Sequence, residues 1–171
     1  MRERTRANIE MNRIQFQPIG TIHSPFNEPQ NMPIQPVGAL GISGTVVVDP
    51  EFQEGLQDLK DFSHIVLLYY FHLSKGYALK VKPFLDDVLR GLFATRAPRR
   101  PNPIGISVVR LERIESNVLH VVNLDIVDGT PLLDIKPYVP DFTGSEDVKI
   151  GWLSKKKNNA KRFRSDDRFR S

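Results

Sequence analysis

Between two apolar runs, the stretch FATRAPRRPNPIGIS (residues 93–107) carries three arginines, Arg96, Arg99 and Arg100, and three prolines, Pro98, Pro101 and Pro103. Proline locks φ, so the guanidinium groups sit on a loop that has little backbone freedom left to lose on binding. Guanidinium pairs bidentately with carboxylate and phosphate, which makes an anionic ligand the natural partner. Asn102 adds a donor and an acceptor beside the arginines, and Gly105 allows a backbone to approach a ligand closely. The other use of such a loop is a basic turn salt-bridged to acidic neighbours, and composition leaves both uses open.

Acidic neighbours are plentiful, because the formal charge of +4 is unevenly spread. From Leu153 onward Lys155, Lys156, Lys157, Lys161, Arg162, Arg164, Arg168 and Arg170 stand against Asp166 and Asp167, a balance of +6. Residues 1–13 add Arg2, Arg4, Arg6 and Arg13 against Glu3 and Glu10, or +2, which leaves the body between them at −4. A basic tail on an acidic body suits a polyanion such as nucleic acid, and it also suits a solvated terminus that only aids solubility.

Other chemistries find less support. The spacing Gly38, Gly41, Gly44 follows a proline-rich loop and leads into a strand, which does not make a Rossmann-type nucleotide site. His23, His64, His72 and His120 could join Asp125 or Asp128 as metal ligands, but none has the short helical spacing of metallohydrolases, and no metal is expected. No serine occupies a nucleophile elbow. The chain has no cysteine, which excludes disulfides, thiolate metal sites and a cysteine nucleophile.

The elements that must position these residues are mostly short strands. The length of 171 residues, with 40% hydrophobic and 26% charged, suits one domain with flexible ends. Ile65 to Phe71 is the longest apolar run near the middle, far too short to span a bilayer, and the first residues lack an apolar signal core, so no membrane and a cytoplasmic location are expected. Residues 13–22 read as a strand, followed by a proline-rich loop over 27–38 long enough to bind something. GISGTVVVD reads as a strand, and Asp49 with Pro50 predicts an N-cap and first turn for a short helix to about Lys60. FSHIVLLYYFH, apolar on both faces, predicts a central strand, and GLFAT predicts another. ISVVRLERI and VLHVVNLDIV alternate and pair as a hairpin across Glu115–Asn117, and Asp128–Gly129 marks a turn before DGTPLLDIKPYVP. Short strands without regular crossover helices favour an antiparallel sandwich or barrel.

FATRAPRRPNPIGIS and DIVDGTPLLDIKPYVP together resemble the paired signature of the TsaA-like family, the tRNA adenosine methyltransferases called TrmO. IGTIHSPF, MPIQPVG and GLQDLKDFSHIVLLYYFH agree with it in order, so the likeness runs from about Ile14 to Asp141. The resemblance implies an all-β fold: a single antiparallel β-barrel domain with short helices, homodimeric, binding S-adenosylmethionine without a Rossmann fold. It implies transfer of a methyl group to the N6 nitrogen of threonylcarbamoyladenosine beside the tRNA anticodon. By that match Pro36, Val37, Gly38, Arg96, Asp125, Ile126, Val127 and Asp128 surround the cofactor, with His72 a further lining residue. Backbone groups near Gly38 and Val127 would read adenine, an aspartate the ribose hydroxyls or the sulfonium, and Arg96 the methionine carboxylate. Arg99, Arg100 and Lys136 are assigned by charge, and Asn102 by its amide, to RNA or the modified base, with the partner subunit the other candidate for Arg99 and Arg100. No general base is named, because in-line methyl transfer leans on positioning more than on a strong base.

The chain departs from the family pattern at Ile34–Gln35, where "RQ" is usual, and at Ala97, where serine is commoner. Bacterial members usually add a second, C-terminal domain, whereas about thirty residues follow the last motif here, and the tail is expected to stand in for that domain in holding tRNA. The expected organisation is a flexible segment over 1–12, the barrel over 13–152, and a flexible basic tail over 153–171. A non-catalytic nucleic-acid-binding regulator, or a methyltransferase on another nucleotide-like substrate, would use the same loop.

Overall fold

Short apolar or alternating runs build six strands that close on one another. The computed structural model describes residues 14–33, 38–140, 164 and 166. Strands β1 (Gly20–His23), β2 (Ser43–Val48) and β3 (His64–Tyr70) precede a two-residue ribbon of β4 (Lys80–Val81) and β5 (Arg90–Gly91). The chain then forms β6 (Ile104–Glu115), β7 (Val118–Val122) and β8 (Thr130–Pro137). The barrel runs β1-β2-β7-β6-β3-β8 and is closed by the pairing of β8 with β1, every neighbour antiparallel. Closure leaves the barrel itself without an edge strand.

One face of each strand fills the interior. Ile22, Val46, Val48, Ile65, Leu67, Val109, Leu111, Leu119, Val121 and Leu132 are buried there, joined by Leu124 and Ile126 from the segment after β7. Burial of each such side chain contributes roughly 1.5–3 kcal/mol against the entropy of ordering the chain. The inward register of β6 is Gly105, Ser107, Val109 and Leu111, so its apolar character stops at Ser107. That end of the barrel opens into the cavity described below.

The structure corrects the sequence reading at several points. The first strand begins at Gly20, not residue 13, and Ile14 and Phe16 are exposed. The expected helix is two 3-10 turns, Pro50–Leu56 and Leu59–Asp61, with no buried residue and no side-chain hydrogen bond from Asp49. Phe52, Leu56 and Leu59 pack against the outside of the core and are only partly buried, too little packing to hold a full α-helix. β3 does pair on both sides, with β6 and β8, but its outer face is only half-buried. GLFAT, read as a strand, contributes only Gly91 to β5 of the ribbon and then a 3-10 turn at Leu92–Ala94, whose Leu92 packs with Val81 and Ala97. VLHVVNLDIV ends as a strand at Val122, where Asn123 takes a left-handed φ of 67° and turns the chain. The hairpin of β6 with β7 is present as read. The loop residues Ile34 to Val37, and all of 153–171 except Arg164 and Asp166, lie outside the described residues.

Candidate active site

Where the barrel's apolar filling stops, a cavity of about 340 Å³ opens, within the range of small-molecule sites. The end of β3 and the turn after it supply Tyr69, Phe71, His72 and Ser74; the arginine loop supplies Thr95, Arg96, Pro98 and Arg100. Gly105 and Ser107 come from β6, and Asp125, Ile126 and Val127 from the segment after β7. Residues far apart in the chain thus meet because β3 and β6 are barrel neighbours and Asn123 turns the following segment across them.

Asp125 reaches the cavity because its two neighbours act as pegs. Leu124 and Ile126 are both buried in the core, so the alternate residue between them lies on the cavity side. Its Oδ1 accepts a hydrogen bond from Ser107 Oγ at 2.7 Å. Ser107 Oγ lies 3.1 Å from the Tyr69 hydroxyl. Since the single Ser107 proton is donated to the carboxylate, Tyr69 donates to Ser107. Burial pushes the Asp125 carboxyl up to about 6, against the opposing pull of the Ser107 hydrogen bond, its own backbone N–H and the positive charge of Arg96. Burial also raises the Tyr69 hydroxyl, with the Asp125 charge adding to the effect.

The Tyr69 ring stands where Gly105 leaves room for it. The two residues are cross-strand partners, the ring packs edge-on against Phe71 at 5.4 Å, and a Cβ on Gly105 would collide with the ring's Cε2 and Cζ. The sequence reading gave Gly105 to a ligand's approach; the neighbour it accommodates is this tyrosine. Gly105→Ala is expected to lower stability by about 1–3 kcal/mol, the usual cost of overpacking. Thermal denaturation measures it.

The arginine loop is stapled to itself. Thr95 Oγ1 donates to the Leu92 carbonyl and accepts from Ala97 N–H, while Arg100 Nη1 donates to the carbonyls of Thr95 at 3.0 Å and Ala97 at 3.4 Å. The Arg100 guanidinium also lies 5.7 Å from the centre of the Phe93 ring. Arg100 therefore lines the cavity and holds its rim, a role charge counting missed. Arg96 is exposed at the cavity and forms no ion pair or side-chain hydrogen bond among the described residues, yet it acts electrostatically on Asp125 and Tyr69. Neither Arg96 nor Arg100 is engaged by a carboxylate among the described residues, as a basic turn neutralised by acidic neighbours would require.

Other predicted residues are placed elsewhere. Asp128 does not line the cavity: its Oδ1 accepts from Ser24 N–H and pairs with His23 Nδ1, both at 3.1 Å, and these contacts hold its carboxyl below the usual range. It locks the turn in which Gly129, with φ 72°, donates its N–H to Ile22. Gly38, Arg99 and Asn102 are not among the lining residues, and Lys136 pairs with Asp134 on β8 at 2.7 Å. Pro36 and Val37 lie outside the described residues. His72 does line the cavity, with Nδ1 3.4 Å from Thr130 Oγ1, and burial lowers its pKa. His64 and His120 face Ser63 and Glu115. From the tail, Arg164 bridges to Pro33 and Asp166 lines the cavity. Tyr69, Ser107 and Asp166 are the site residues that sequence reasoning missed.

Taken together, a closed antiparallel barrel with a buried carboxyl and a cationic rim around one cavity defines a small-molecule-binding barrel with an anion-recognising mouth. Residues 21–143 match the tRNA-methyltransferase O N-terminal domain, and the chain belongs to that family. It is 56% identical to a probable S-adenosyl-L-methionine-binding protein of Pyrococcus abyssi, covering 90% of this chain and 84% of that one. A tRNA (adenine(37)-N6)-methyltransferase of Mus musculus is 34% identical over 83% of this chain but only 35% of its own length. The crystal structure of TrmO from Pseudomonas aeruginosa superposes with a TM-score of 0.68 at 41% identity, covering 82% of this chain and 62% of that one. The chain thus spans most of the Pyrococcus relative and about a third of the mouse enzyme.

Proposed function

We propose that this protein is an S-adenosylmethionine-dependent tRNA methyltransferase that methylates an adenine N6 nitrogen, with threonylcarbamoyladenosine next to the anticodon as its substrate. The observation that carries this reading is the single cavity in which the arginine loop and the Asp125–Val127 segment, the two halves of the family signature, meet.

The residues present fit the cofactor. Arg96 is a cation at the cavity with no carboxylate engaged, suited to the methionine carboxylate. Phe71, Ile126 and Val127 give apolar walls for the adenine, and the Asp125 carboxylate suits a positively charged sulfonium. Gly38, and Pro36 and Val37 beside it, belong to the cofactor site by family likeness. When bound, S-adenosylmethionine supplies a methyl group activated by its sulfonium. The protein's own work is to orient the ligands and exclude water from them: the barrel core closes the cavity from below, and the prolines and the Arg100 staple keep the rim from rearranging.

Asp128 supports the turn next to the cofactor rather than contacting it. Arg99, Asn102 and Lys136 face the tRNA, with Arg100 contributing from the rim. A second copy of the chain covers the apolar arm on which Tyr77, Leu79, Val88, Leu89 and Phe93 are exposed. No helix among the described residues is long and apolar enough to cross a membrane, and a tRNA substrate supports a cytoplasmic location.

Calorimetry with S-adenosylmethionine tests the cofactor, and micromolar binding is expected; absence of binding would overturn the reading. Arg99→Ala is expected to reduce tRNA turnover about tenfold while leaving cofactor affinity within twofold, in line with loss of one charged phosphate contact. Equal losses in calorimetry and in methylation assays would contradict that division.

A further inference from the structure

The cavity holds a hydrogen-bonded chain that cofactor binding alone does not require. Tyr69 donates to Ser107, Ser107 donates to Asp125, and all three side chains line the same cavity. Two of the three are buried to 6% and 2% exposure, on strands that are neighbours in the barrel, so the chain cannot drift. Ser107 sits in an inward register that Val109 and Leu111 continue with apolar residues, and Gly105 clears the space for the Tyr69 ring. A structural polar pair would be equally served by facing the core; this one ends on a carboxylate in the cavity.

Methylation of a nitrogen that carries hydrogen releases a proton. We propose that Asp125 accepts that proton, and that Ser107 and Tyr69 are positioning residues that hold its carboxylate in the accepting orientation. The inference rests on the methyltransferase reading above. In the step, the nitrogen lone pair forms the new bond to the methyl carbon while the methyl–sulfur bond breaks and its electron pair remains on sulfur as the neutral thioether. The N–H proton passes to an Asp125 oxygen and leaves later through the open mouth to solvent. In the in-line arrangement the attacking nitrogen lies about 3–3.5 Å from the methyl carbon, so the carboxylate must stand beside the transferring methyl group to reach the nitrogen as well as the sulfonium. Burial makes this carboxylate a stronger base than an ordinary aspartate and brings its pKa, about 6, near the working pH of a general base. The groups that bear on it are Tyr69 from β3, Ser107 from β6 and Arg96 from the loop, with His72, Arg100 and Asp166 the other titratable residues of the cavity.

The test compares the wild-type chain with Ser107→Ala, Tyr69→Phe and Asp125→Asn, using kcat/KM against pH with substrate tRNA and a ¹³C-NMR titration of the aspartate carboxyls without ligands. In the wild type, kcat/KM is expected to rise with pH through the midpoint at which the Asp125 carboxyl titrates. Loss of the Ser107 hydrogen bond, which favours the ionised carboxylate, shifts both midpoints upward together, and Tyr69→Phe shifts both in the same direction by less. Asp125→Asn lowers kcat by about 10²–10⁴-fold, the usual range for a general base, with S-adenosylmethionine affinity within a few-fold. The proposal is overturned if the NMR midpoint moves while the rate profile does not, or if Asp125→Asn keeps its kcat. A wild type that neither binds S-adenosylmethionine nor methylates tRNA would instead overturn the reading beneath it. Tyr69→Phe keeps the ring that packs over Gly105, so the comparison survives if Ser107→Ala does not fold.

Discussion

At pH 7, Asp125→Asn is expected to melt at a higher temperature than the wild-type chain while losing its activity. The carboxyl is raised from 3.8 to about 6 by burial. A group whose pKa is higher folded than unfolded contributes stability below its unfolded pKa and loses that contribution as pH rises through its folded pKa. The wild type therefore loses stability between about pH 4 and pH 6 on this account, as the carboxyl ionises inside the barrel. A neutral asparagine can still accept from Ser107 but carries no buried charge. At 1.36 kcal/mol per pKa unit, the shift of about two units sets the gain at up to ~3 kcal/mol, or several degrees for a chain of this size. Below pH 4 the two proteins should converge. Thermal melts at pH 4, 5, 6 and 7 read the effect directly, and a variant no more stable than the wild type at pH 7 would contradict the placement of an ionised, largely desolvated carboxylate at the cavity. A residue kept at the expense of stability is what an active site requires.

The second large effect is expected at Arg96. Arg96→Ala should weaken S-adenosylmethionine binding by about ten- to a hundredfold, the loss of one charge-assisted interaction of roughly 1.5–3 kcal/mol. The melting temperature should hardly move, since Arg96 is exposed and forms no ion pair or side-chain hydrogen bond among the described residues. Arg100→Ala makes the contrast: it removes the hydrogen bonds to Thr95 and Ala97 and the packing over Phe93, so the rim loosens and stability falls. Because the Arg96 charge favours ionised Asp125, its removal should also raise that carboxyl's titration. Unchanged cofactor affinity in Arg96→Ala would remove the arginine from the cofactor site.

The antiparallel barrel was legible because alternation survives in β6 and β7, where one face packs inward, and because β2 and β3 are short apolar runs bounded by turn residues. The segment over 50–61 differs from the expected helix because an N-terminal Asp-Pro pair signals a helix start whatever the later packing, and here Phe52, Leu56 and Leu59 are only partly buried. The ribbon of β4 and β5 is two residues per strand, too short for any period to register.

At the site, the arginine loop announced itself by composition, but the division of labour within it did not. Arg100 folds back on the carbonyls of Thr95 and Ala97, which depends on loop geometry that charge counting cannot supply. DIVDG offers two aspartates three residues apart, equivalent by type. Only the buried pegs Leu124 and Ile126, and the left-handed turn at Asn123, send Asp125 into the cavity and leave Asp128 on the His23–Ser24 turn. One signal for Ser107 was present and passed over: in ISVVRLERI, Ser107 shares the inward register with Val109 and Leu111. A polar side chain on the buried side of a barrel strand needs a partner, and that partner is the catalytic carboxylate proposed above. Asp166 had no comparable signal, because only the fold brings it to the cavity.

The most direct test of the account is transfer of isotopically labelled methyl from S-adenosylmethionine to purified tRNA by this protein, followed by digestion to nucleosides and mass spectrometry. The account predicts label on the N6 nitrogen of threonylcarbamoyladenosine, dependent on Asp125 and Arg96. Binding of S-adenosylmethionine with no label in tRNA, or label on a different nucleoside, would contradict it.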